Sequence, residues 1–128
     1  MPKTILIAED SRVVRQVVRS YLESCLEQVV CAEASDGSDA IEYVRKAKPD
    51  LIVLDVSMPV MNGLDAAPIL HEIAPQVPII LFTSHKDAVS EKRAKAAGIR
   101  AVVSKIDQID VLVDQILRVS PFIRVPIP

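Results

Sequence analysis

Short apolar segments alternate with longer amphipathic segments along the whole chain. Five segments of mostly apolar residues are typical of buried strands, and they cover residues 4–8, 29–34, 51–54, 79–83 and 101–104. Between them, apolar side chains recur every three or four residues, which is the period of an amphipathic helix. The first helical pattern starts at Ser11, and its apolar positions are Val14, Val17, Val18, Tyr21, Leu22, Cys25 and Leu26.

The later helices are predicted from the same period and from their end signals. The second helix is expected to end near residue 47, and the third, fourth and fifth helices are expected to cover about 64–73, 87–97 and 109–117. Ser38 or Asp39 is the expected N-cap of the second helix, and Gly98 is the expected residue just past the fourth. Asn62-Gly63 is expected to form a turn that requires positive φ.

This order of elements predicts an α/β fold. Five apolar strands that alternate with five helices indicate a parallel sheet covered on both faces. Right-handed crossovers then favour a flavodoxin-like, doubly wound, five-stranded parallel sheet with strand order 2-1-3-4-5. We expect one domain over residues 1–119. The apolar, proline-rich residues 120–128 are expected to be a C-terminal tail or the start of a linker.

Composition narrows the class of protein. Half of the 128 residues are hydrophobic but only 3% are aromatic, so the core is expected to be aliphatic. The net charge of −2 and the scattered basic residues argue against direct binding of nucleic acid. Cys25 and Cys31 form neither a zinc motif nor a disulfide framework, and no segment has the length of a membrane span. We therefore expect a cytoplasmic protein with two free thiols.

Polar side chains collect where the predicted strands end. Strand one ends in Glu9-Asp10 and strand three in Asp55, while Thr83-Ser84 and Ser104-Lys105 end strands four and five. In this fold, ligands bind at the carboxyl edge of the sheet, where strand order reverses between strands one and three. Carboxylates crowded there repel one another unless a cation lies among them. Oxygen ligands partly open to water suit Mg²⁺.

These residues carry a resemblance to a known family. Over residues 4–119 the chain resembles the receiver domain of two-component response regulators, at the size of the single-domain, chemotaxis-regulator kind. The matching positions are Glu9-Asp10, Asp55, Met58-Pro59, Asn62-Gly63, Thr83, Ala97-Gly98 and Lys105. The resemblance implies a Mg²⁺-dependent phosphoprotein that accepts a phosphoryl group from a sensor histidine kinase or a phosphotransfer protein, in phosphorelay signal transduction.

Roles follow from the resemblance position by position. Asp55 matches the phosphoacceptor, and Glu9, Asp10, Asp55 and the backbone carbonyl of Ser57 match the metal ligands. Lys105 matches the lysine that pairs with the phosphoryl group, and Thr83 matches the hydroxyl of the switch. Ser57 and His85 match positions that tune phosphoryl lifetime, and the alternative for His85 is a solvated loop histidine without such a role. Such a domain is not an enzyme for outside substrates, since it catalyses only its own phosphorylation and dephosphorylation.

Two positions depart from the family's pattern. Val102 stands where the family has a switch aromatic, so the signal must reach its output by another route. Ile106 stands where the family has a proline, so the peptide bond before it is expected to be trans. The output partner or C-terminal output domain is unknown. A homodimer through helix four, strand five and helix five is possible for such a domain.

Other functions fit the residues less well. A phosphatase or other hydrolase of similar fold would use an acid two residues after its nucleophile, where this chain has Ser57. A flavin-binding protein would need aromatic residues to sandwich the ring and a Ser/Thr-rich phosphate loop after strand one, but this chain has few aromatic residues and no such loop. The alternative that stays open is a pseudo-receiver, which would act as a phosphorylation-independent protein-interaction module.

Overall fold

Five parallel strands form one sheet in the computed structural model of the chain, which describes residues 1–127. The strands are β1 (Lys3–Ala8), β2 (Val29–Ala34), β3 (Leu51–Leu54), β4 (Ile79–Thr83) and β5 (Ile99–Ser104). The helices are α1 (Arg12–Cys25), α2 (Gly37–Lys46), α3 (Gly63–Ile73), α4 (Glu91–Ala96) and α5 (Ile109–Val119). The strand order is β2-β1-β3-β4-β5, which confirms the predicted topology.

The core has two aliphatic layers, one on each face of the sheet. Successive residues of a strand point to opposite faces, so Ile5 and Ile7 pack against α1 and α5, whereas Leu6 packs against α2 and α3. All four residues of β3 are buried, as expected for a central strand. The predicted aliphatic core is thus confirmed, and the sheet offers a rigid base for the loops at its carboxyl edge.

Side-chain caps fix where the helices begin. The Ser11 hydroxyl accepts from the Val14 N–H at the start of α1. The cap of α2 is Asp36, whose carboxylate accepts from the Asp39 N–H at 2.8 Å. The prediction of Ser38 or Asp39 as this cap was wrong, because Asp36 is already extended and Gly37 begins the helix. Gly98 has φ of +82°, as its predicted place after α4 requires.

Two local predictions fail for identifiable reasons. The segment expected as one helix over 87–97 is a single 3-10 turn (Lys86–Ala88), followed by α4. Val89 is extended between them, and the Ser90 hydroxyl caps a new helix by accepting from the Arg93 N–H. Positive φ occurs at Gln28, Val60 and Gly98 within residues 1–127, so the turn expected at 62–63 does not need it.

The C-terminal segment packs against the domain at the edge opposite the predicted site. Ile123 is buried in the core layer of α1 and α5, and its N–H donates to the Ser120 carbonyl. The Arg124 carbonyl accepts from the Glu27 N–H at 2.7 Å. Residues 125–127 are exposed, and the last residue of the predicted tail, Pro128, lies outside the described residues. Within the described part, no helix has the length and hydropathy needed to cross a bilayer.

The two cysteines differ in environment, which gives a testable prediction. Cys31 is buried in β2, and burial raises the pKa of its thiol to about 12, whereas Cys25 is half-buried at the end of α1. At pH 8 the native protein should therefore take one alkyl group from iodoacetamide, at Cys25, and two only in denaturant. Mass spectrometry of the native and unfolded protein checks this. Equal labelling of both thiols in the native state would contradict the described packing.

Candidate functional site

Three carboxylates meet at the carboxyl edge of the sheet, where β1 and β3 run side by side. Glu9 and Asp10 follow β1 and Asp55 follows β3, and the Asp55 N–H donates to the Ala8 carbonyl at 2.9 Å. One carboxylate oxygen from each of the three residues lies within 4.8 Å of the other two. The strand pairing thus brings together the acids that the sequence analysis grouped at this edge.

The three acids differ in their access to water. Glu9 and Asp55 are 4% and 5% exposed, whereas Asp10 is exposed at the rim. The Ser11 N–H at the start of α1 donates to Glu9 Oε2 at 2.8 Å. Burial raises the pKa of the Glu9 carboxyl above its ordinary value, and the hydrogen bond from Lys105 opposes this rise only in part. The site is therefore a pocket of negative charge that opens to solvent on the side of Asp10.

Lys105 is the cation of this pocket. Its backbone N–H donates to the Thr83 carbonyl at 2.9 Å, which extends the pairing of β4 and β5 to the edge. Its ammonium lies 3.1 Å from Asp55 Oδ2 and also binds Glu9 Oε1, a contact that the sequence analysis missed. Burial by itself would lower the pKa of Lys105, but the two acids outweigh it, so that the pKa is raised. Lys105 is thus charged at neutral pH.

The end of β4 contributes a buried hydroxyl. Thr83 is 1% exposed, and its Oγ1 accepts from the His85 N–H at 3.1 Å. Ser84 and His85 are exposed in the loop that follows. The structure therefore places Thr83 at the same edge as Lys105, and His85 lies exposed in the loop beside it.

The loop between β3 and α3 passes close to Asp55. Ser57 is exposed in it, and Met58 is 9% exposed and packs into the core. At Gly63, a Cβ atom would lie 2.0 Å from the Asp55 carbonyl oxygen. Glycine is needed there for this close approach and not for positive φ, which corrects the reason given for the predicted Asn62-Gly63 turn.

Val102 lies half-buried on β5, below an open groove. The groove has a volume of about 650 Å³ and lies between the 3-10 turn, α4 and β5. Charged residues of both signs and apolar residues line it: Lys86, Asp87, Glu91, Lys95 and Arg100, with Val89, Ala94, Ile99, Ala101 and Val102. Within residues 1–127 every peptide bond is trans, which confirms the expectation for the bond before Ile106.

The donor set fits a small, hard cation. All the acidic groups offer oxygen, two are buried and fixed, and the open side at Asp10 leaves room for water ligands. Mg²⁺ prefers oxygen ligands and usually keeps several waters, so the chemistry of the three carboxylates suits it.

Arg15 is a residue of this region that the sequence analysis did not single out. Its Nη1 donates to the carbonyl oxygens of Glu9 at 2.7 Å and Asp10 at 3.2 Å, and its Nε donates to Glu33 at 2.9 Å. In a single sequence Arg15 looks like any basic residue on the polar face of a helix. Its orientation toward the β1–α1 loop follows from the packing of α1 beside β2.

Curated relatives match most of the chain. The transcriptional regulatory protein PdtaR of Mycobacterium tuberculosis is 37% identical over 125 residues, which cover 95% of this chain and 59% of that protein. A protein-glutamate methylesterase/protein-glutamine glutaminase of Pyrococcus abyssi is 40% identical over 98 residues, or 77% of this chain and 26% of that protein. The chain thus spans about a quarter to three fifths of the length of these relatives.

Solved structures and a family model agree with the fold. The response regulator TrrA of Thermotoga maritima superposes with a TM-score of 0.82 at 25% identity, covering 91% of this chain and 98% of that one. The chemotaxis protein CheY4 of Vibrio cholerae gives 0.81 at 27% identity, covering 93% and 99%. The model of the response regulator receiver domain matches residues 5–117. The chain therefore belongs to the family of response regulator receiver domains.

Proposed function

We propose that this receiver domain accepts a phosphoryl group on Asp55 with Mg²⁺ bound beside it. The observation that carries the proposal is the cluster at the carboxyl edge of the sheet. There, the carboxylates of Glu9, Asp10 and Asp55 lie within 4.8 Å of one another, and the Lys105 ammonium is 3.1 Å from Asp55. Phosphoryl transfer requires positioning and neutralisation of charge, which this arrangement supplies.

Glu9, Asp10, Asp55 and the Ser57 carbonyl are the residues that would hold the metal. When bound, Mg²⁺ supplies positive charge that neutralises the carboxylates and the phosphoryl oxygens. The similar protein TrrA was solved in complex with Mg(2+)-BeF, which supports the proposal that this chain also binds Mg²⁺.

Asp55 acts as the nucleophile in the proposed reaction. One of its carboxylate oxygens forms a bond to phosphorus, while the bond between phosphorus and the donor atom breaks and its electron pair leaves with the donor. The product is an acyl phosphate on Asp55. The carboxylate is ready for this attack because it is fixed by its place after β3, and because it is 5% exposed and thus poorly hydrated.

Lys105 and Thr83 respond to the new charge. The ammonium of Lys105 binds Glu9 and Asp55 before reaction, and a phosphoryl oxygen on Asp55 would take one of these contacts. The Thr83 hydroxyl can donate to another phosphoryl oxygen. Because Thr83 Oγ1 also accepts a hydrogen bond from the His85 N–H, this movement of the hydroxyl would shift the loop that contains His85. His85 and Ser57 are exposed beside the site, where they would tune how fast water removes the group.

The proposed function also includes a phosphoryl donor and a signalling output of the domain. The donor is a phosphohistidine of a sensor kinase or a phosphotransfer protein in the cytoplasm, and the domain turns over no outside substrate. The output is a change in partner binding, since phosphorylation biases an equilibrium between two conformations. Val102 replaces the aromatic residue that moves in the family's switch. We therefore assign the surface that changes on phosphorylation to the groove between α4 and β5 and to α5. The same surface, made by α4, β5 and α5, is the proposed homodimer face. Direct binding to nucleic acid or membrane forms no part of this function.

Binding of Mg²⁺ should stabilise the fold by mass action. At a metal concentration about a hundredfold above Kd, the free energy of unfolding should rise by about 2.7 kcal/mol, and the melting temperature by several degrees. Asp10→Asn removes one ligand charge at the exposed rim and should shrink this rise. Differential scanning fluorimetry with and without Mg²⁺ measures both. An unchanged melting temperature of the wild type at millimolar Mg²⁺ would count against the metal site.

The phosphoacceptor role is tested by intact mass. The wild-type chain, incubated with acetyl phosphate and Mg²⁺, should gain one phosphoryl group, and EDTA should prevent the gain. If a folded, Mg²⁺-binding chain gained no group from acetyl phosphate or from any histidine kinase tried, the proposal would fail in favour of the pseudo-receiver.

A further inference from the structure

A nearly buried guanidinium braces the backbone of the acidic pair. The side chain of Arg15 is 14% exposed, although it is the fourth residue of α1 and lies on the edge of the domain. Its Nη1 reaches the carbonyl oxygens of both Glu9 and Asp10, and its Nε reaches Glu33 Oε1. One side chain therefore joins the loop after β1 to the edge strand β2.

The charge of Arg15 is subject to opposing electrostatic effects, because Glu33 at 2.9 Å favours a cation and two other groups disfavour it. The positive end of the α1 dipole lies at the first turn, where a cation is destabilising. A divalent cation beside Glu9 and Asp10 would repel the guanidinium as well. The ion pair with Glu33 and the hydrogen bonds to the two carbonyl oxygens offset both costs, and together they fix the orientation of the guanidinium.

The geometry that Arg15 controls is that of the β1–α1 loop. The Glu9 N–H donates to the Ala34 carbonyl at 3.0 Å, which fixes the start of the loop. The directions of the next two peptide planes depend on the carbonyls of Glu9 and Asp10. A planar guanidinium, with N–H donors fixed in a fork, can hold both carbonyls and Glu33 at once. Mg²⁺ demands nearly octahedral geometry, so the direction of each carboxylate matters for its affinity.

Glu33 and Arg19 keep the fork in place. Glu33 Oε1 accepts from Arg15 Nε and Oε2 accepts from Arg19 Nη1, both at 2.9 Å. Arg19 also pairs with Glu23, and the Glu23 carboxylate accepts from the Cys31 N–H on the open edge of β2. The two arginines, with the Arg19 contribution first, lower the pKa of Glu33, so that the acid stays charged at neutral pH.

We propose that Arg15, oriented by Glu33, is a positioning residue for the metal site, because it fixes the backbone from which Glu9 and Asp10 project. This inference rests on the proposed function, since it concerns the same Mg²⁺. Residues that orient metal ligands typically change affinity by about tenfold or more when removed. We therefore expect the Kd for Mg²⁺ to rise by at least about tenfold in Arg15→Ala.

The direction of the change in the Kd for Mg²⁺ distinguishes a positioning role of Arg15 from an effect of its charge alone. If Arg15 acted only as a nearby cation, Arg15→Ala would lower the Kd and Arg15→Lys would leave it unchanged. A positioning role predicts a higher Kd in both variants, because one ammonium cannot replace the fork. Arg12→Ala is the matched control, since it removes an exposed cation from the same turn of α1 and should not raise the Kd.

The test is a titration of each ¹⁵N-labelled variant with Mg²⁺, followed through backbone amide shifts. Loss of packing alone would lower the melting temperature without metal and leave the Kd unchanged.

If Arg15→Ala fails to fold, Glu33→Ala removes only the Nε partner and should raise the Kd by a smaller factor. A Kd within twofold of wild type in Arg15→Ala and Arg15→Lys, with Asp10→Asn weakened, overturns the positioning role alone. A wild type that binds no Mg²⁺ overturns the proposed function, and the positioning role with it.

Discussion

Asp55→Asn is expected to abolish phosphorylation and to leave the fold intact. The amide has no carboxylate oxygen to attack phosphorus, so the intact mass should not change after incubation with acetyl phosphate and Mg²⁺. The free energy of unfolding should be equal to that of the wild type or slightly higher. The reason is that the variant removes one of three repelling carboxylates, while Lys105 keeps its contact with Glu9.

Asp107→Asn serves as the control for that experiment. It makes the same chemical change at an exposed acid in the β5–α5 loop, near the site but outside the carboxylate cluster. This variant should gain a phosphoryl group like the wild type. Stoichiometric phosphorylation of a folded Asp55→Asn chain would show that the acceptor is another residue.

Gly63→Ala is expected to have the largest effect on stability near the site. The added Cβ would lie 2.0 Å from the Asp55 carbonyl oxygen and 3.2 Å from Leu54 Cγ, so the backbone of β3 and α3 must move apart. We expect the free energy of unfolding to fall by about 3 kcal/mol. A shift of about 1 Å at Asp55 would also slow phosphorylation by about a hundredfold. Urea denaturation and the rate of mass gain measure the two effects.

Ser38→Ala is the matched control for Gly63→Ala, since it adds helix propensity in the first turn of α2 at an exposed position. It should change stability by less than about 0.5 kcal/mol. A Gly63→Ala chain as stable and as readily phosphorylated as Ser38→Ala would contradict the close approach of α3 to Asp55.

Strands were predicted more closely than helices, for a physical reason. A strand buried on both faces leaves a continuous apolar run, so 51–54 and 79–83 match the observed bounds. The prediction 29–34 also matches the bounds of β2, although this edge strand exposes Val30. A helix boundary depends on which of several polar residues caps it, and Asp36, Ser38 and Asp39 could each do so. The break at Val89 and Ser90 likewise depends on a cap that a periodic pattern does not reveal.

α3 shows how burial overrides a local signal. Pro68 lies inside this helix, where it lacks an N–H to donate, yet the helix continues to Ile73. Pro68 is exposed, whereas Ala66, Ala67 and Leu70 pack against the sheet. The buried face therefore determines the length of the helix, and the missing hydrogen bond falls on the side that faces water.

The positions of the candidate site residues could be predicted because topology brings strand ends together. Glu9, Asp10 and Asp55 had to meet once β1 and β3 were neighbours. The contacts of long side chains could not be predicted in the same way. Lys105 binds Glu9 as well as Asp55, and Arg15 turns toward the loop instead of solvent, because the three-dimensional packing leaves these as the nearest partners.

Chemical mapping of the modified residue is the most direct test of the central claim. The wild-type chain is phosphorylated with acetyl phosphate and Mg²⁺ and then reduced with borohydride, which converts an aspartyl phosphate to homoserine. Peptide mapping by mass spectrometry should find homoserine at Asp55 alone. Homoserine at another aspartate, or a phosphoryl group that resists reduction on His71 or His85, would contradict the assignment of Asp55 as the phosphoacceptor.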